Sequence, residues 1–517
     1  MKTETKKKEE EIIIVNRLNC ASLNGAIALG IEVEATFTKG LPAFSVVGLA
    51  SSDIQEAKER VKSALLTNSF SFPPLKITIN LSPSDIKKSG THFDLSIALL
   101  VAMQKTPIPL DELFVFGELG LDGRVKSSST IFPLILSLKE QGLLKKAIVP
   151  LDAMESLRYI AGVDFIAVST LNEAIESLKN PTKTSQIQNF EYSASTLNLS
   201  GIKYYINDKI DKDFSDVKGQ SVAKRASLIA SAGMHNFFME GSPGCGKSMI
   251  SKRLQDILPP LLEEEILAIA KHQFLDGVTP DFGAKRPIRS PHHTATTSSI
   301  FGGGSHQAKI GEVALAHNGI LFFDELPHFS KNILEALREP LQDGKVHISR
   351  VNAKVAYESN FMFVGAMNPC PCGNLLSKTK PCRCSAMEIK RYKNRLSDPF
   401  LDRIDIFVVM QEVSSNDTSD ITSSEMKERV VNAFIAQKKR NQPRLNGKLN
   451  EDEVEIFCIL SNQAKDILNK AIERFGLSHR SITSIKKVSR TIADLDLSPI
   501  IEKEHILEAL SYRRRES

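Results

Sequence analysis

The chain has 517 residues, 42% of them hydrophobic and 25% charged, so it is long enough for roughly three domains with separate cores. No apolar run reaches the about 20 residues of a membrane-spanning helix, and the N-terminus lacks the apolar segment of a secretory signal. We therefore expect a cytoplasmic protein without a membrane partner. The net charge of +5 permits nucleic-acid binding but does not establish it, because basic side chains act only when concentrated on one surface.

Composition divides the chain into five segments. Residues 1–10 have the mixed charge of a disordered tail. Residues 11–180 alternate short β-like runs with amphipathic helical patterns, which predicts a first α/β domain. A polar linker rich in Ser and Thr is expected at 181–205, followed by a second α/β domain at 206–412. Residues 426–517 contain successive amphipathic segments, which predict a helical lid over a bound nucleotide.

The stretch MEGSPGCGKSMI, at 239–250, contains the first motif with a defined chemistry. Its core GSPGCGKS fits G-x-x-x-x-G-K-[ST] at every fixed position, after an apolar run and before a helix-compatible segment. The glycines let several backbone N–H groups point at one anion, and the helix adds its positive dipole end. Lys247 is expected to reach the β- and γ-phosphates and the Ser248 hydroxyl to hold Mg²⁺. The motif predicts ATP and Mg²⁺ as cofactors, bound by Gly241, Ser242, Pro243, Gly244, Cys245, Gly246, Lys247 and Ser248.

A second motif, GILFFDE at 319–325, supplies two carboxylates. Its apolar run predicts a fully buried parallel strand. Asp324 is expected to hold the water shell of Mg²⁺, and Glu325 to polarise the attacking water. Alone, the pattern also fits an ordinary strand that ends in a solvated acidic turn. Together with the glycine-rich loop, and in this order, it predicts a P-loop NTPase.

Two further polar residues follow the acidic pair. Asn368 ends the apolar strand FMFVGAM, where its amide is predicted to contact the γ-phosphate or to orient the attacking water. Arg403, in RLSDPFLDRIDI, either pairs with Asp402 and Asp405 or acts as an arginine finger on an adjacent subunit. A finger in trans would require a ring with head-to-tail interfaces.

Four of the seven cysteines lie close together between Asn368 and Arg403. Their spacing, Cys-x-Cys, nine residues and Cys-x-Cys, is typical of a metal cluster rather than of a disulfide framework. Four thiolates leave no coordination position for water, so a tetrahedral Zn²⁺ bound here would be structural. A reducible thiol cluster is the alternative. The candidate ligands in this cysteine knuckle, at 370–384, are Cys370, Cys372, Cys382 and Cys384.

The motifs GSPGCGKS, AHNGILFFDELP, AMNPCPCG and RLSDPFLDRIDI together resemble those of the magnesium-chelatase-like AAA+ ATPases, and within them the ComM/YifB group. The resemblance covers nearly the whole chain from Asn16 onward. It implies that Asn368 is sensor 1 and that Arg403 is the arginine finger. Arg480, in GLSHRS, matches the sensor 2 arginine that this family carries at the start of a lid helix.

The segment GKVHISRVNAKVAYES, at 344–359, matches an insert that projects into the central pore of related rings. The resemblance therefore makes Arg350 and Lys354 candidates for contacting the phosphates of a DNA strand. A solvated hairpin tip is the alternative for both residues.

The first domain resembles the proteolytic domain of Lon-type proteases through KKSGTHFDLSIALL and FGELGLDGRVK. When GTHFD, at 90–94, is superposed on the glycine-rich turn of that family, His92 occupies the place of the nucleophilic serine, and Ser89 is displaced from it. The resemblance thus implies a Lon-protease-like fold without its nucleophile, and we expect no peptidase activity.

The expected fold class is α/β, with a Lon-protease-like N-terminal domain, a central AAA+ P-loop core and a C-terminal helical lid. The family resemblance implies an ATP-driven hexamer that acts on single-stranded or branched DNA as a helicase, promoting branch migration in natural transformation and homologous recombination. Two alternatives are a chelatase-like motor that drives Mg²⁺ insertion into a tetrapyrrole and an ATPase that remodels protein clients.

Overall fold

The structure is a computed structural model that describes residues 16–106, 113–179, 192, 194–303, 309–349, 354–414, 417–419 and 421–514. The predicted tail at 1–10 lies outside these ranges. The chain forms two compact units, Met1–Glu191 with Gln273–Thr279 and Tyr192–His272 with Pro280–Ser517. In the ranges given, no helix combines the length and the apolar character needed to cross a membrane.

The first unit is built on a mixed β-sheet. Its strands are β1 (Asn16–Asn24), β2 (Ile27–Thr38), β3 (Ala43–Val47), β4 (Lys76–Ser82), β5 (Leu113–Val115), β6 (Glu118–Leu119), β7 (Val125–Lys126), β8 (Lys146–Pro150) and β9 (Asp164–Val168). Its helices are α1 (Ser52–Thr67), α2 (Asp94–Ala102), α3 (Ile131–Glu140), α4 (Met154–Leu157) and α5 (Leu171–Lys179). The sheet order is β3-β4-β2-β1-β5-β8-β9, and β6 pairs with β7. Helix α2 is buried on all sides, and apart from Asp94 and Ser96 all its residues are apolar.

The strands of the second unit are β10 (Ser195–Leu199), β11 (Ile202–Ile206), β12 (Phe237–Gly241), β13 (Leu261–Leu262), β14 (Ile288–Arg289), β15 (Ile320–Phe323), β16 (Lys345–Ser349), β17 (Lys354–Glu358), β18 (Met362–Met367) and β19 (Ile406–Met410). The helices that alternate with these strands are α6 (Ser221–Gly233), α7 (Lys247–Leu254), α8 (Glu263–Leu275), α9 (Thr297–Phe301), α10 (Glu312–Leu315), α11 (Lys331–Ala336) and α12 (Arg338–Asp343). The remaining helices are α13 (Ala386–Lys393), α14 (Asp398–Leu401), α15 (Ser423–Lys439), α16 (Glu451–Phe457), α17 (Asn462–Phe475), α18 (His479–Leu495) and α19 (Lys503–Ser511). With a parallel sheet and a helical C-terminal region, the structure confirms the expected fold class.

A five-stranded parallel sheet in the order β14-β15-β18-β12-β19 forms the core of the second unit. Strands β15 and β18 are buried along their whole length, which explains why ILFF and MFVGAM are continuous apolar runs. Because β18 lies between β12 and β15, the carboxyl ends of these three strands are adjacent along one edge of the sheet. The loops that leave this edge are where ligands bind in open parallel sheets.

Helices α15 to α19 form one packed group that adjoins this sheet. Arg490 on α18 is fully buried and donates to Asp494 Oδ1 at 3.0 Å, and Asp494 also accepts two hydrogen bonds from Arg440, which follows the last residue of α15. Ser484 on α18 donates to Asp405 Oδ1 at 2.7 Å, just before β19. A buried cation is stable only with such partners, so these contacts fix α18 against both α15 and the sheet.

The predicted linker at 181–205 is wrong in its second part. Strands β10 and β11 form an antiparallel hairpin in which Ser195 pairs with Ile206, and β11 also pairs with β13. The segment is polar because its exposed positions carry Ser, Thr and Asn, whereas Tyr204 and Tyr205 are buried. A hairpin with one solvated face has the composition of a linker, so composition alone did not distinguish the two.

The turn before α2 buries His92, the residue that replaces the expected nucleophile. The imidazole is 1% exposed, and its Nε2 lies 2.8 Å from the carbonyl oxygen of Ala21. Its Nδ1 lies 3.3 Å from Thr130 Oγ1. Burial lowers the pKa of His92 to about 4, so the ring is neutral at neutral pH.

This burial predicts an acid-sensitive contribution to stability. An unfolded His takes up a proton near pH 6.5, whereas folded His92 does so only near pH 4. The free energy of unfolding therefore has its full value above about pH 6.5, where His92 is neutral in both the folded and the unfolded state. It falls by up to about 3 kcal/mol as the pH drops toward 4, because only the unfolded His takes up a proton in this range. Calorimetric unfolding of the full chain between these pH values is expected to be less pH-dependent for His92→Gln than for the unmodified protein. Equal pH slopes would contradict this prediction, and other buried histidines cancel in the comparison.

Candidate nucleotide site

The GSPGCGKS loop connects β12 to α7 at the carboxyl edge of the parallel sheet. Gly244 and Gly246 have φ angles of +81° and +99°, a left-handed conformation that side chains with a Cβ rarely adopt. A Cβ built on Gly244 would meet no atom within 4 Å, so this part of the loop faces open space. Ser242 adds a buried hydroxyl that has no hydrogen-bond partner among the described residues. A loop of this shape can wrap a phosphate chain with its backbone N–H groups.

Lys247, the first residue of α7, is only 9% exposed. Its Nζ donates to the carbonyl oxygens of Gly241 and Ser242 at 2.6 and 3.1 Å, and to Asn368 Oδ1 at 3.1 Å. All three acceptors are neutral, and no carboxylate of the described residues forms an ion pair with it. A buried ammonium group without a counter-charge is costly, so the residues around Lys247 fit an anionic ligand such as a triphosphate.

Two oxygen ligands for a hard cation lie beside this loop. The Ser248 hydroxyl donates to Asp324 Oδ2 at 2.7 Å. Asp324 follows β15, and its Oδ1 accepts the backbone N–H of Glu325 at 2.9 Å. A hydroxyl and a carboxylate are the donor types that Mg²⁺ takes from proteins when it also binds phosphate. The structure thus brings together the predicted residues Lys247, Ser248, Asp324 and Asn368.

Glu325 adopts a left-handed backbone conformation, with φ of +49°, although it is not a glycine. Such strain concentrates at functional sites. Its side chain is about half exposed, and its Oε2 lies 3.8 Å from Nδ1 of His293. No role was predicted for His293 from the sequence. It belongs to the histidine pair in SPHHT, at 290–294, which has no regular spacing to Glu325.

Arg403 and Arg480 meet at one amide. Gln342 Oε1 accepts from Nη2 of Arg403 at 2.7 Å and from Nη2 of Arg480 at 2.9 Å. Burial, followed by the positive charges of Arg480 and Arg338, lowers the pKa of Arg403. Arg403 makes no ion pair with Asp402 or Asp405, so the salt bridge considered from the sequence is not formed among the described residues. Gln342 had no sequence signal, because it lies outside every motif.

The two arginines lie at the amino edge of the sheet, opposite the phosphate loop. Strand β19 runs parallel to β12, with Ile406 opposite Phe237 and Met410 opposite Gly241. Arg403 precedes β19, whereas the loop follows β12. A strand of five residues is about 15 Å long, so Arg403 is separated from its own loop by about that distance. Arg480 lies at the start of α18, as expected. It is beside Arg403 and away from the chain's own phosphate loop, so at this residue α18 does not cover the chain's own nucleotide site.

The four knuckle cysteines come together directly after Asn368. The Sγ–Sγ distances are 3.4 Å for Cys370 and Cys372, 3.7 Å for Cys370 and Cys382, and 3.6 Å for Cys372 and Cys382. All four sulfur atoms, including that of Cys384, lie within 4.8 Å of one another. Sulfur atoms bound at 2.3 Å to a tetrahedral Zn²⁺ are about 3.8 Å apart, so the cluster fits a metal ion of this size.

The knuckle packs against the phosphate loop. A Cβ on Gly373 would lie 2.6 Å from Cδ of Pro243, so only glycine allows this approach. Beyond the cysteines, Lys393 Nζ lies 3.0 Å from Glu240 Oε1 at the end of β12. The cysteine cluster and the phosphate loop are therefore neighbours in one part of the site.

Strands β16 and β17 pair as an antiparallel hairpin, with Lys345 opposite Glu358 and Ser349 opposite Lys354. The predicted DNA contact Arg350 lies outside the described residues. Only the backbone of Lys354, at the start of β17, is described. The structure therefore supports the predicted hairpin and leaves both side-chain assignments as predictions.

A parallel sheet with this strand order, a G-x-x-x-x-G-K-S loop and an acidic pair after the strand two places away define a P-loop NTPase of the AAA+ class. Residues 213–418 match the family described as magnesium chelatase, subunit ChlI. Residues 33–153 and 420–513 match the families described as subunit ChlI of Mg-chelatase and as its C-terminal region. The chain therefore belongs to the magnesium-chelatase-like AAA+ ATPases, in the ComM/YifB group, and this membership implies ATPase activity.

Curated relatives cover nearly the whole chain. Uncharacterized protein YifB of Escherichia coli is 37% identical over 506 residues, which are 95% of this chain and 95% of that protein. Competence protein ComM of Haemophilus influenzae is 36% identical over 493 residues, 93% and 94% of the two chains. Lon protease 2 of Bacillus subtilis is 28% identical over 190 residues, 34% of each chain, in agreement with the predicted resemblance to Lon-type proteases.

Proposed function

We propose that this protein is an ATP-driven, ring-forming motor that moves DNA, as a helicase that promotes branch migration during natural transformation and recombination. The observation that carries the proposal is the buried ammonium group of Lys247, which has only neutral acceptors at the end of a glycine-rich loop. The family membership implies the ATPase activity, and the similarity to a competence protein supports the link to DNA uptake.

MgATP supplies the phosphoanhydride bond whose cleavage drives the motor. In this proposal Lys247 exchanges its carbonyl acceptors for oxygens of the β- and γ-phosphates, which supply the missing negative charge. Ser248 and Asp324, already joined through one hydrogen bond, are the residues that would hold the Mg²⁺ of the nucleotide. Glu325 orients the attacking water and accepts its proton. Asn368 bridges Lys247 and the γ-phosphate, so it detects whether that phosphate is present.

The opposite edges of the sheet support a site shared between subunits. Arg403 and Arg480 lie about one strand length from their own phosphate loop, too far for a hydrogen bond to its ligand. In a head-to-tail ring each subunit presents its amino edge to the loop of the next. Arg403 then neutralises the charge that develops on the neighbour's γ-phosphate, and it releases Gln342 to do so.

The hairpin of β16 and β17 is proposed to contact the DNA in the ring pore, with Arg350 and Lys354 on its phosphates. Helix α12, which carries Gln342, leads directly into β16, so release of Gln342 is transmitted to the hairpin.

A chelatase function is less well supported, because the relatives that match the chain over nearly its full length share the Lon-like first unit and include a competence protein. The knuckle cysteines would hold a structural Zn²⁺, which would fix the loop after Asn368.

The nucleotide assignment predicts two different defects. Lys247→Ala is expected to abolish ATP binding, because the loop loses its only buried cation. Glu325→Gln is expected to bind ATP normally but to turn it over at least about 100-fold more slowly, because a proton acceptor is lost. Calorimetric titration with MgATP and steady-state phosphate release measure the two effects. Lys252→Ala and Glu473→Gln, both exposed, are the matched controls.

The same turnover assay tests the motor function with single-stranded DNA, forked DNA and unfolded protein as added ligands. We expect DNA to stimulate phosphate release and unfolded protein to leave it unchanged. Stimulation by unfolded protein alone would favour the remodelling alternative. A protein that hydrolyses ATP but neither binds DNA at moderate salt nor responds to it would contradict the proposed function.

Mixing experiments test whether the arginine finger acts between subunits. Arg403→Ala is expected to bind ATP but to lose about 10³-fold or more in turnover. In an equimolar mixture with Lys247→Ala, about a quarter of the interfaces combine an intact loop with an intact arginine, so turnover returns in part. Lys247→Ala mixed with Glu325→Gln is the control, because both defects lie at the same edge of the sheet and no interface is repaired. Absence of rescue in the first mixture would exclude action in trans.

The metal assignment predicts about one zinc ion per chain by elemental analysis of protein purified without added metal. Replacing Cys382 and Cys384 together by Ser is expected to remove the metal, because two thiolates cannot close the site. Cys458→Ala changes an isolated buried cysteine and is expected to retain it. Zinc-free unmodified protein that remains folded and contains four titratable knuckle thiols would favour the thiol cluster.

A further inference from the structure

A strong concentration of positive charge follows the first knuckle cysteines. The segment 378–395 contains seven lysines and arginines against one glutamate, a net charge of +6. The whole chain has 66 basic and 61 acidic residues, a net charge of only +5, so the rest of the protein has a small acidic excess. The basic residues of the segment are Lys378, Lys380, Arg383, Lys390, Arg391, Lys393 and Arg395.

Most of these cations are exposed, and Lys393 is the only one of them that forms an ion pair among the described residues. Only Lys393 is half-buried, and it pairs with Glu240 at 3.0 Å. The single acid of the segment, Glu388, accepts from the backbone N and Oγ of Ser385 at 2.8 and 2.9 Å, so it caps α13, and it offsets only part of the charge of Arg391, three residues further on. Glu412 accepts from the backbone N of Lys378 at 2.9 Å and is the one acid that offsets the knuckle loop.

Helix α13 and the start of α11 enclose a groove with a volume of about 700 Å³. None of the residues that line it is acidic, and four carry a positive charge: Lys331, Lys390, Arg391 and Arg395. Among the described residues, no carboxylate forms an ion pair with any of these four. The groove and the exposed cations of the knuckle loop together are named the knuckle surface, comprising Lys331 and the exposed basic residues of 378–395.

The phenyl and phenol rings near the knuckle surface are buried. Tyr392 is 6% exposed, and Phe329, which lines the groove, is 4% exposed and stacks on Phe323 at 4.2 Å. The one exposed ring that lines the groove is the imidazole of His328, beside four cationic side chains. Charge therefore outweighs stacking at this surface, and its chemistry favours a ligand with repeated negative charges, such as a phosphodiester backbone.

We propose that the knuckle surface binds the sugar-phosphate backbone of DNA, as a contact separate from the pore hairpin. The inference rests on the proposed DNA motor function and deepens it. Binding here is independent of base sequence, similar for single and double strands, and strongly salt-dependent. Because Gly373 packs on Pro243, and Lys393 pairs with Glu240, the surface lies next to the phosphate loop, and DNA held there remains close to the nucleotide.

The test uses the full-length protein and fluorescence anisotropy with labelled single-stranded and duplex DNA at salt concentrations from about 50 to 200 mM. Lys390→Glu combined with Arg391→Glu reverses two groove charges. We expect the Kd for both DNA forms to rise at least about 10-fold, and the slope of log Kd against log salt to fall by about 2. Lys465→Glu with Lys470→Glu makes the same charge change on exposed positions of α17 and is expected to change Kd less than about twofold.

A second variant gives an independent result if the first variant does not fold. Lys378→Glu with Lys380→Glu alters the knuckle loop outside the helix and is expected to weaken DNA binding in the same way, with an unchanged unfolding midpoint. Undiminished DNA affinity in both folded variants would overturn the proposal while leaving the motor function intact. If DNA binding is absent in the unmodified protein, the motor function itself fails. If the variants lose self-assembly but keep DNA affinity, the surface contacts a neighbouring subunit, and the proposal is wrong.

Discussion

The rest of the structure depends on the burial of one positive charge at the end of the central sheet. Lys247 is nearly inaccessible, and its Nζ contacts carbonyl and amide oxygens and the sulfur of Cys245 but no carboxylate of the described residues. An anionic ligand at this place would offset the cost of burying the charge. The hydroxyl–carboxylate pair of Ser248 and Asp324 and the strained backbone at Glu325 are nearby, and all three features fit the binding of one phosphate chain.

In the proposed function a single chain holds only part of this site, and the parallel sheet explains why. Its carboxyl edge carries the phosphate loop, the acids and Asn368, whereas its amino edge carries Arg403 and Arg480 on the shared acceptor Gln342. The separation is set by the length of the strands, which no side-chain rotation can span. The proposed chemistry therefore requires assembly, because Arg403 and Arg480 reach the phosphates only where the amino edge of one subunit meets the carboxyl edge of the next.

The sequence was sufficient where function depends on local spacing. The phosphate loop, the acids after β15 and the amide after β18 are each fixed by a few adjacent residues and an apolar strand. It was insufficient where contacts join distant segments: His293 approaches Glu325, and Gln342 meets two arginines, without any pattern in the intervening chain. The hairpin of β10 and β11 was missed for a different reason, since an exposed strand face and a linker have the same polar composition.

The segment after Asn368 shows how one short stretch can join several tasks. It starts at an amide that contacts Lys247, continues into a cysteine cluster packed on Pro243, and ends in a helix with four basic residues at its end or just beyond it. Four sulfur ligands around one ion would make this stretch stiff despite its lack of regular structure. A stiff segment transmits displacement, whereas a flexible one absorbs it. Movement of Asn368 on loss of the γ-phosphate would therefore shift the knuckle surface as well, which would couple the grip on DNA to the state of the nucleotide.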